Sequence, residues 1–168
     1  MNPHPLVTQL HFARSEFVRC LEGVSDADGL VRLEPMNCAS WIVGHMANQE
    51  HVYWVLLPTG RNIAPVLKDL FAHGEPAHTP PLGQMWDTWR LVTQAADAFL
   101  DTLTIELLQT HLEWNGKPRP ESIGTMLLRN TYHYWFHLGE AHAIRQQLGH
   151  GDLPQFVGDM SRAVYMPE

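Results

Sequence analysis

His133 and His137 stand four residues apart in the segment Tyr132-His-Tyr-Trp-Phe-His137. On a helix that spacing puts two imidazoles on one face, one turn apart, where both can reach a single metal ion. In a chain of 168 residues with eleven histidines, chance alone gives roughly 0.7 such pairs and one is present, so the surroundings must decide. His137 falls in an apolar stripe with Tyr134, Ala141 and Ile144, and a buried imidazole needs partners for both ring nitrogens. His45 falls on the core-facing stripe of an earlier segment, with Trp41, Gln49, Val52 and Leu56. Alone, His45 reads equally as a core histidine satisfied by a neighbour. Three histidines on the inward faces of two helices match the way helical bundles build metal sites. His45, His133 and His137 are therefore the candidate ligands.

Three neutral imidazoles, with no cysteine or carboxylate in the set, leave a coordination position open for water or substrate. Zinc and nickel suit such a site best, and iron, manganese and cobalt remain open. Glu140 lies one turn beyond His137 on the same face. It could be a general base, a carboxylate that orients a histidine, or a surface group. Gln49, one turn past His45, reads as a surface or supporting amide. Glu50 points well away from His45 on a helical wheel and is not counted. Arg145 could hold an anionic substrate, and a pair with a carboxylate is the simpler reading. His51, His142 and His150 read as surface residues. Trp86, Trp89, Tyr134, Trp135 and Phe136 read as core or dimer-interface aromatics. Cys20 and Cys38 make no disulfide framework and match no zinc spacing, so they read as buried or half-buried free thiols in a reducing compartment. Cys38 precedes the second helix and could lie near the site, but nothing marks it as reactive.

Four amphipathic segments position these residues. The first runs from Leu6 to Leu21, with Leu10, Ala13, Phe17 and Cys20 at helical spacing, and Gly23 closes it. Ser25 to Gly29 is turn chemistry, and Ser40 is a good N-cap for a second helix from Trp41 to about Leu57. Pro58 and Gly60 end that helix. The stretch up to Pro80-Pro81 is too long for a tight helix–helix turn and suits a crossover or a loop that covers something. The third helix runs from Leu82 to Leu103, and Thr104 to His111 can add a short turn or helix. Trp114 to Pro120 breaks the pattern. Ser122 can cap the fourth and longest helix, and Gly149 closes it. The tail from Leu153 reads as irregular and packed on the rest. Strand signals are nearly absent, so the expected fold is all-α: a four-helix bundle in one domain over residues 1–168.

The composition removes several classes of function. Apolar residues at 45% and charged residues at 17% describe a globular chain. The greasiest run, His51 to Leu57, stops at Pro58, far short of a membrane span. The start, Met1 to Leu6, shows no basic patch followed by an apolar run, so no signal peptide is expected and the expected location is cytoplasmic. The net charge is −7 and the eleven lysines and arginines are scattered, which disfavours nucleic acid and anionic membranes as partners.

The segments Trp41-Ile-Val-Gly-His-Met-Ala-Asn-Gln-Glu50 and Tyr132-His-Tyr-Trp-Phe-His-Leu-Gly-Glu140, the latter followed by Ala143 to Gly149, resemble the DinB/YfiT-like superfamily. The resemblance spans nearly the whole chain, and the paired histidines with Leu138-Gly139-Glu140 and Arg145 are its specific part. It implies a four-helix bundle in up-down-down-up order, with the long crossover between helices two and three. It also implies a divalent metal on His45, His133 and His137. Characterised members include S-transferases and isomerases that use bacillithiol, mycothiol or glutathione. The leading expectation is therefore a metal-dependent thiol S-transferase, its partners a low-molecular-weight thiol and a small electrophile, its metal favouring the nucleophilic thiolate. A metal-dependent hydrolase with Glu140 as base is the alternative, and a non-catalytic, metal-stabilised binding module is the third reading. A homodimer is the expected assembly.

Overall fold

The structure is a computed structural model that describes residues 3–71, 74, 76–155 and 157–165. Met1, Asn2 and Phe156, touched by the expectations for the leader and the tail, lie outside them. Helix α1 spans Pro5–Leu21, with Pro5 in the first turn, where its missing N–H costs nothing. The Ser25–Gly29 stretch, expected as a turn, begins a short helix instead: α2, Asp26–Leu30, capped by the Ser25 hydroxyl accepting from the Asp28 N–H.

Helix α3 spans Ala39–Glu50 and passes into a π-helical turn, His51–Leu56, and then α4, Leu57–Thr59. The expected second helix is thus one axis with a wide turn in it. Within that turn the Leu57 N–H donates to the Val52 carbonyl, five residues back. Cys38, not Ser40, holds the N-cap position. Ser40 sits inside the helix, and its hydroxyl donates to the Pro80 carbonyl across the crossover. The crossover carries α5, Val66–Phe71.

Helix α6 spans Leu82–Leu100, three residues shorter than expected, and α7 is Ile105–Leu108. Two strands were not expected: β1, Glu113–Trp114, pairs antiparallel with β2, Lys117–Pro118. Asn115 and Gly116 between them both have positive φ (52° and 71°), the two-residue hairpin geometry that an Asn-Gly pair favours. Helix α8 spans Ile123–Gln147, with the Ser122 hydroxyl accepting from the Thr125 N–H at its start and Gly149 at φ 79° just past its end. Among the described residues the tail is irregular apart from a 3-10 turn at Met160–Arg162.

The described chain is therefore mostly helical, with one small hairpin. Leu10, Phe17, Ile42, Met46, Trp54, Met85, Tyr134 and Ile144 are fully buried in one core to which the four long helical segments contribute. Helix α1 meets α8 at Phe17–Tyr134, edge to face at 5.4 Å between ring centroids. The π turn meets α6 at Trp54–Phe99. Gly44 allows α3 its close approach to α5 and α6. A Cβ there would lie 2.1 Å from the Phe71 ring and 2.6 Å from the Met85 sulfur.

An ion pair crosses this core. Arg14 on α1 donates through Nε and Nη2 to the two oxygens of Glu50 at 2.7 and 2.6 Å. Its Nη1 donates to Asp97 on α6, which also receives His11. Glu50 points away from His45, as the helical wheel requires, yet it is fully buried rather than solvated. Burial works against the Arg14 charge, and the Glu50 carboxylate outweighs it, so the guanidinium pKa rises. His51, expected at the surface, is also buried: its Nε2 accepts the Ile63 N–H. Both burials have one cause. The axis through α3 is covered by neighbours on almost every side, so helical position alone does not predict exposure.

Removing one member of a buried pair leaves the other charge unpaired. Glu50→Ala is expected to lose about 3–5 kcal/mol of stability in urea unfolding, and Arg14→Met with Glu50→Met less than that. A loss within about 1 kcal/mol for Glu50→Ala would place the pair in the class of exposed ion pairs.

Candidate metal centre

Helix α3 supplies His45, and α8 supplies His133 and His137. The three rings meet at one point. His133 Nε2 lies 2.9 Å from His137 Nε2 and 3.2 Å from His45 Nε2. One nitrogen from each ring falls within 4.8 Å of the other two.

The opposite nitrogens determine where the protons sit. The Trp54 indole N–H is only a donor, and it binds Asn130 Oδ1 at 2.6 Å. That turns the Asn130 amide N–H toward Gln49 Oε1, at 2.7 Å. Gln49 Oε1 is an acceptor, so His133 Nδ1, also at 2.7 Å, must carry a proton and donate it. His133 therefore presents a lone pair at Nε2. The His137 ring is held in the same orientation from another side: its Nδ1 donates to Glu140 Oε2 at 2.8 Å, which leaves its Nε2 facing His133. Glu140 Oε1 in turn accepts from the Asn37 side chain and backbone N–H. The His137 hydrogen bond leads the causes that hold the Glu140 carboxyl below its ordinary pKa, and partial burial opposes it.

Two imidazole nitrogens facing each other at 2.9 Å need either a shared proton or a metal cation between them. Metal–nitrogen bonds of about 2.0–2.1 Å set cis nitrogens about 2.9 Å apart at right angles and about 3.4 Å apart at tetrahedral angles. The two separations from His133 fall at and within those limits, and the donor set is all imidazole. The residues fit a divalent metal. His45 differs from its partners: its ring stacks on Trp41 at 4.5 Å and 12°, and its buried Nδ1 has no hydrogen-bond partner among the described residues.

Burial first, then the neighbouring imidazoles His137 and His133, push the pKa of His45 down to about 3. Burial, His137 and Arg129 push His133 to about 4. Both rings are neutral at physiological pH, the form a metal requires.

His133 opens onto a surface cleft of about 640 Å³, whose wall includes Gln49, Arg129, Tyr132 and Phe136. Tyr132 and Phe136 are 63% and 69% exposed, so their rings are free to meet a ligand. Arg129 is held by Glu121. A slightly larger groove, about 680 Å³, lies along α1 and α6 and contains none of the three histidines.

The other singled-out residues fall as follows. Gln49 supports His133. Tyr134 and Trp89 are buried, Trp86 and Trp135 half-buried, and Phe136 is exposed rather than core. Among the described residues Arg145 bonds no carboxylate. It donates to the Cys20 and Asp152 carbonyls and to His150. His142 and His150 are half-buried rather than exposed. Cys20 and Cys38 are buried free thiols. Cys38 adjoins Asn37, the residue that holds Glu140. Three supporting residues escaped sequence reasoning. Asn130 had a signal, an amide inside an apolar stripe one turn before His133. Trp41 had one too, a flat ring one turn before His45. Asn37 had none, because it reaches Glu140 from a loop.

A mostly helical scaffold that brings three imidazole nitrogens from two helices to one point is a candidate mononuclear metal centre. The family model of the DinB superfamily matches residues 9–141, a span that contains all three histidines and Glu140, and the chain belongs to that superfamily. A solved structure titled as that of a conserved protein from Enterococcus faecalis is similar in fold, with a TM-score of 0.65 over 89% of this chain and 99% of that one, at 15% identity. No curated protein matches the chain.

The depressed histidines make stability depend on pH. The unfolded chain takes up protons near pH 6.5, and folded His45 and His133 take them up only near about 3 and about 4. This contribution is complete above about 6.5 and is lost as pH falls through the folded values. The metal-free protein is expected to show a falling Tm between pH 7 and pH 4, with a shallower decline in His45→Asn with His133→Asn. Equal slopes in the two proteins would contradict the assignment.

Proposed function

We propose that this protein holds one divalent metal ion on His45, His133 and His137 and joins a low-molecular-weight thiol to a small electrophilic substrate. The observation that carries the metal assignment is the meeting of three Nε2 atoms, two of them turned toward each other by the hydrogen bonds of their Nδ1 atoms to Gln49 and Glu140. Zinc or nickel suits three imidazoles best. When bound, the metal would supply positive charge that favours the thiolate over the thiol. The reaction class rests on membership of the superfamily and its likeness to thiol-dependent transferases, and on the open cleft beside His133.

The chain's own residues would do the rest. Gln49 and Glu140 hold the far nitrogens of two ligand rings, fixing tautomer and orientation. Tyr132 and Phe136 offer an apolar wall for the second substrate. Glu140 is engaged by His137 and Asn37 on both oxygens, which favours an orienting role over that of a general base and so weakens the hydrolase reading. We also infer an up-down-down-up order for the four long helices. Its support is the pairing of the loop just before α3 with late α8 (Asn37–Glu140) and of the end of α3 with earlier α8 (Gln49–Asn130), beside Phe12–Trp135 and Cys20–Leu138 between α1 and α8.

Untagged protein dialysed without chelator is expected to carry about one metal per chain by mass spectrometry, and His137→Ala little. Glu140→Gln is expected to weaken metal affinity about 10- to 100-fold, as loss of an orienting carboxylate does. The loaded protein is expected to accelerate loss of chloride from 1-chloro-2,4-dinitrobenzene with bacillithiol, mycothiol or glutathione. In that reaction a carbon–sulfur bond forms and the thiol proton goes to solvent. Ester hydrolysis without thiol consumption would move the reaction to the hydrolase class. Metal without turnover would leave a binding module, and no metal after loading with zinc or nickel would end the proposal.

A further inference from the structure

A second cavity, of about 290 Å³, lies between the π turn, the start of the crossover and the β1–β2 hairpin. None of the three histidines, Gln49 or Glu140 lines it. Its wall is apolar along Leu56, Leu57 and Ala64 and carries two cationic side chains, Lys68 and Arg119. No carboxylate lines it, in a chain whose net charge is −7. Two cations on a mainly apolar wall, without a counter-charge, is an arrangement that asks for an anion.

Arg119 gives the sharper sign. Its Nε–H is buried and has no hydrogen-bond partner among the described residues. Buried donors are almost always paired, and a guanidinium offers Nε–H and an Nη–H side by side to two oxygens of one anion. The backbone of Arg119 is held on both sides of the peptide. The Arg119 N–H donates to the Leu112 carbonyl at 2.7 Å, and the Arg119 carbonyl accepts from His111. Glu121 is close enough to feel the Arg119 charge, but its oxygens are bound by Arg129. Trp114, 47% exposed, lines the cavity from the hairpin and offers a flat apolar ring. The opposite wall is tied down where the Ile63 N–H donates to His51.

We propose that this cavity is a binding site for a small organic anion, a carboxylate or phosphate ester joined to a single apolar ring, with Arg119 and Lys68 on the charge and Trp114 against the ring. The volume supports a ligand of that size, since it sits at the lower end of small-molecule sites, about 300 Å³. The proposal does not depend on the reaction at the three-histidine centre.

The test is a titration of nitrogen-15-labelled full-length protein with phenylacetate, phenyl phosphate and neutral phenylacetamide. The Arg119 Nε–H and Trp114 indole resonances are followed. At least one of the two anions is expected to shift both resonances and saturate, whichever is tighter naming the charge class, with phenylacetamide weaker by about tenfold or more. Arg119→Met and Lys68→Met, each with an otherwise unchanged spectrum, are expected to weaken the anion by about tenfold or more. Chelator-treated and zinc-loaded protein are expected to give the same Kd. The proposal is overturned if neither anion saturates, if phenylacetamide binds as tightly, if Lys68→Met and Arg119→Met both bind like the parent, or if the shifts fall on the His45, His133 and His137 rings instead.

Discussion

The site depends on one relay of hydrogen bonds with a single allowed direction. It starts at the Trp54 indole, which can only donate, and runs through Asn130 to Gln49 Oε1. His133 enters the same oxygen from the other side. Each amide is held the right way round by its neighbour, so no flip satisfies all the groups. The relay also ties α3 and its π turn to α8, the two elements that supply the histidines. Position and protonation state are thus set by the same bonds, and the low dielectric around them strengthens that coupling.

The other face of α3 carries the opposite kind of chemistry. There Glu50 is locked to Arg14, a charged pair that is expensive to bury and more expensive to break. Little more than one turn of helix therefore separates the imidazole cluster from a buried ion pair. Tyr134 and Trp89 lie between α1, α6 and α8 beside that pair, and the Tyr134 hydroxyl accepts from the Trp89 indole. Burial, with the Glu50 charge, holds the Tyr134 phenol well above its ordinary pKa. Polar groups in this core are few and nearly all engaged, which specifies one packing rather than many.

Much of this was legible in the residues. The helical periods located all four long segments, because an amphipathic stripe records which face is buried. The histidines stood out because His45 and His137 interrupt apolar stripes, and Glu140 and Gln49 because each is one turn from a histidine. What stayed hidden was of two kinds. Loop residues reach the site through space, as Asn37 does, and carry no period. Residues on a helix covered from several sides, such as Glu50 and His51, defeat the rule that polar means exposed. The hairpin was a different omission: Asn115-Gly116 is itself a turn signal, but its strands are too short to show alternation.

The π turn at His51–Leu56 has a consequence for how this chain tolerates change in length. An α-helix advances by about 100° per residue, so one extra residue would ordinarily rotate everything beyond it onto the wrong face. A wide turn takes in one residue without that rotation. Upstream, His45 and Glu50 keep their bearings; downstream, Pro58 and the crossover keep theirs. In genetic terms the segment marks where one codon more than a regular helix needs is housed, on the condition that Trp54 keeps its place against Asn130.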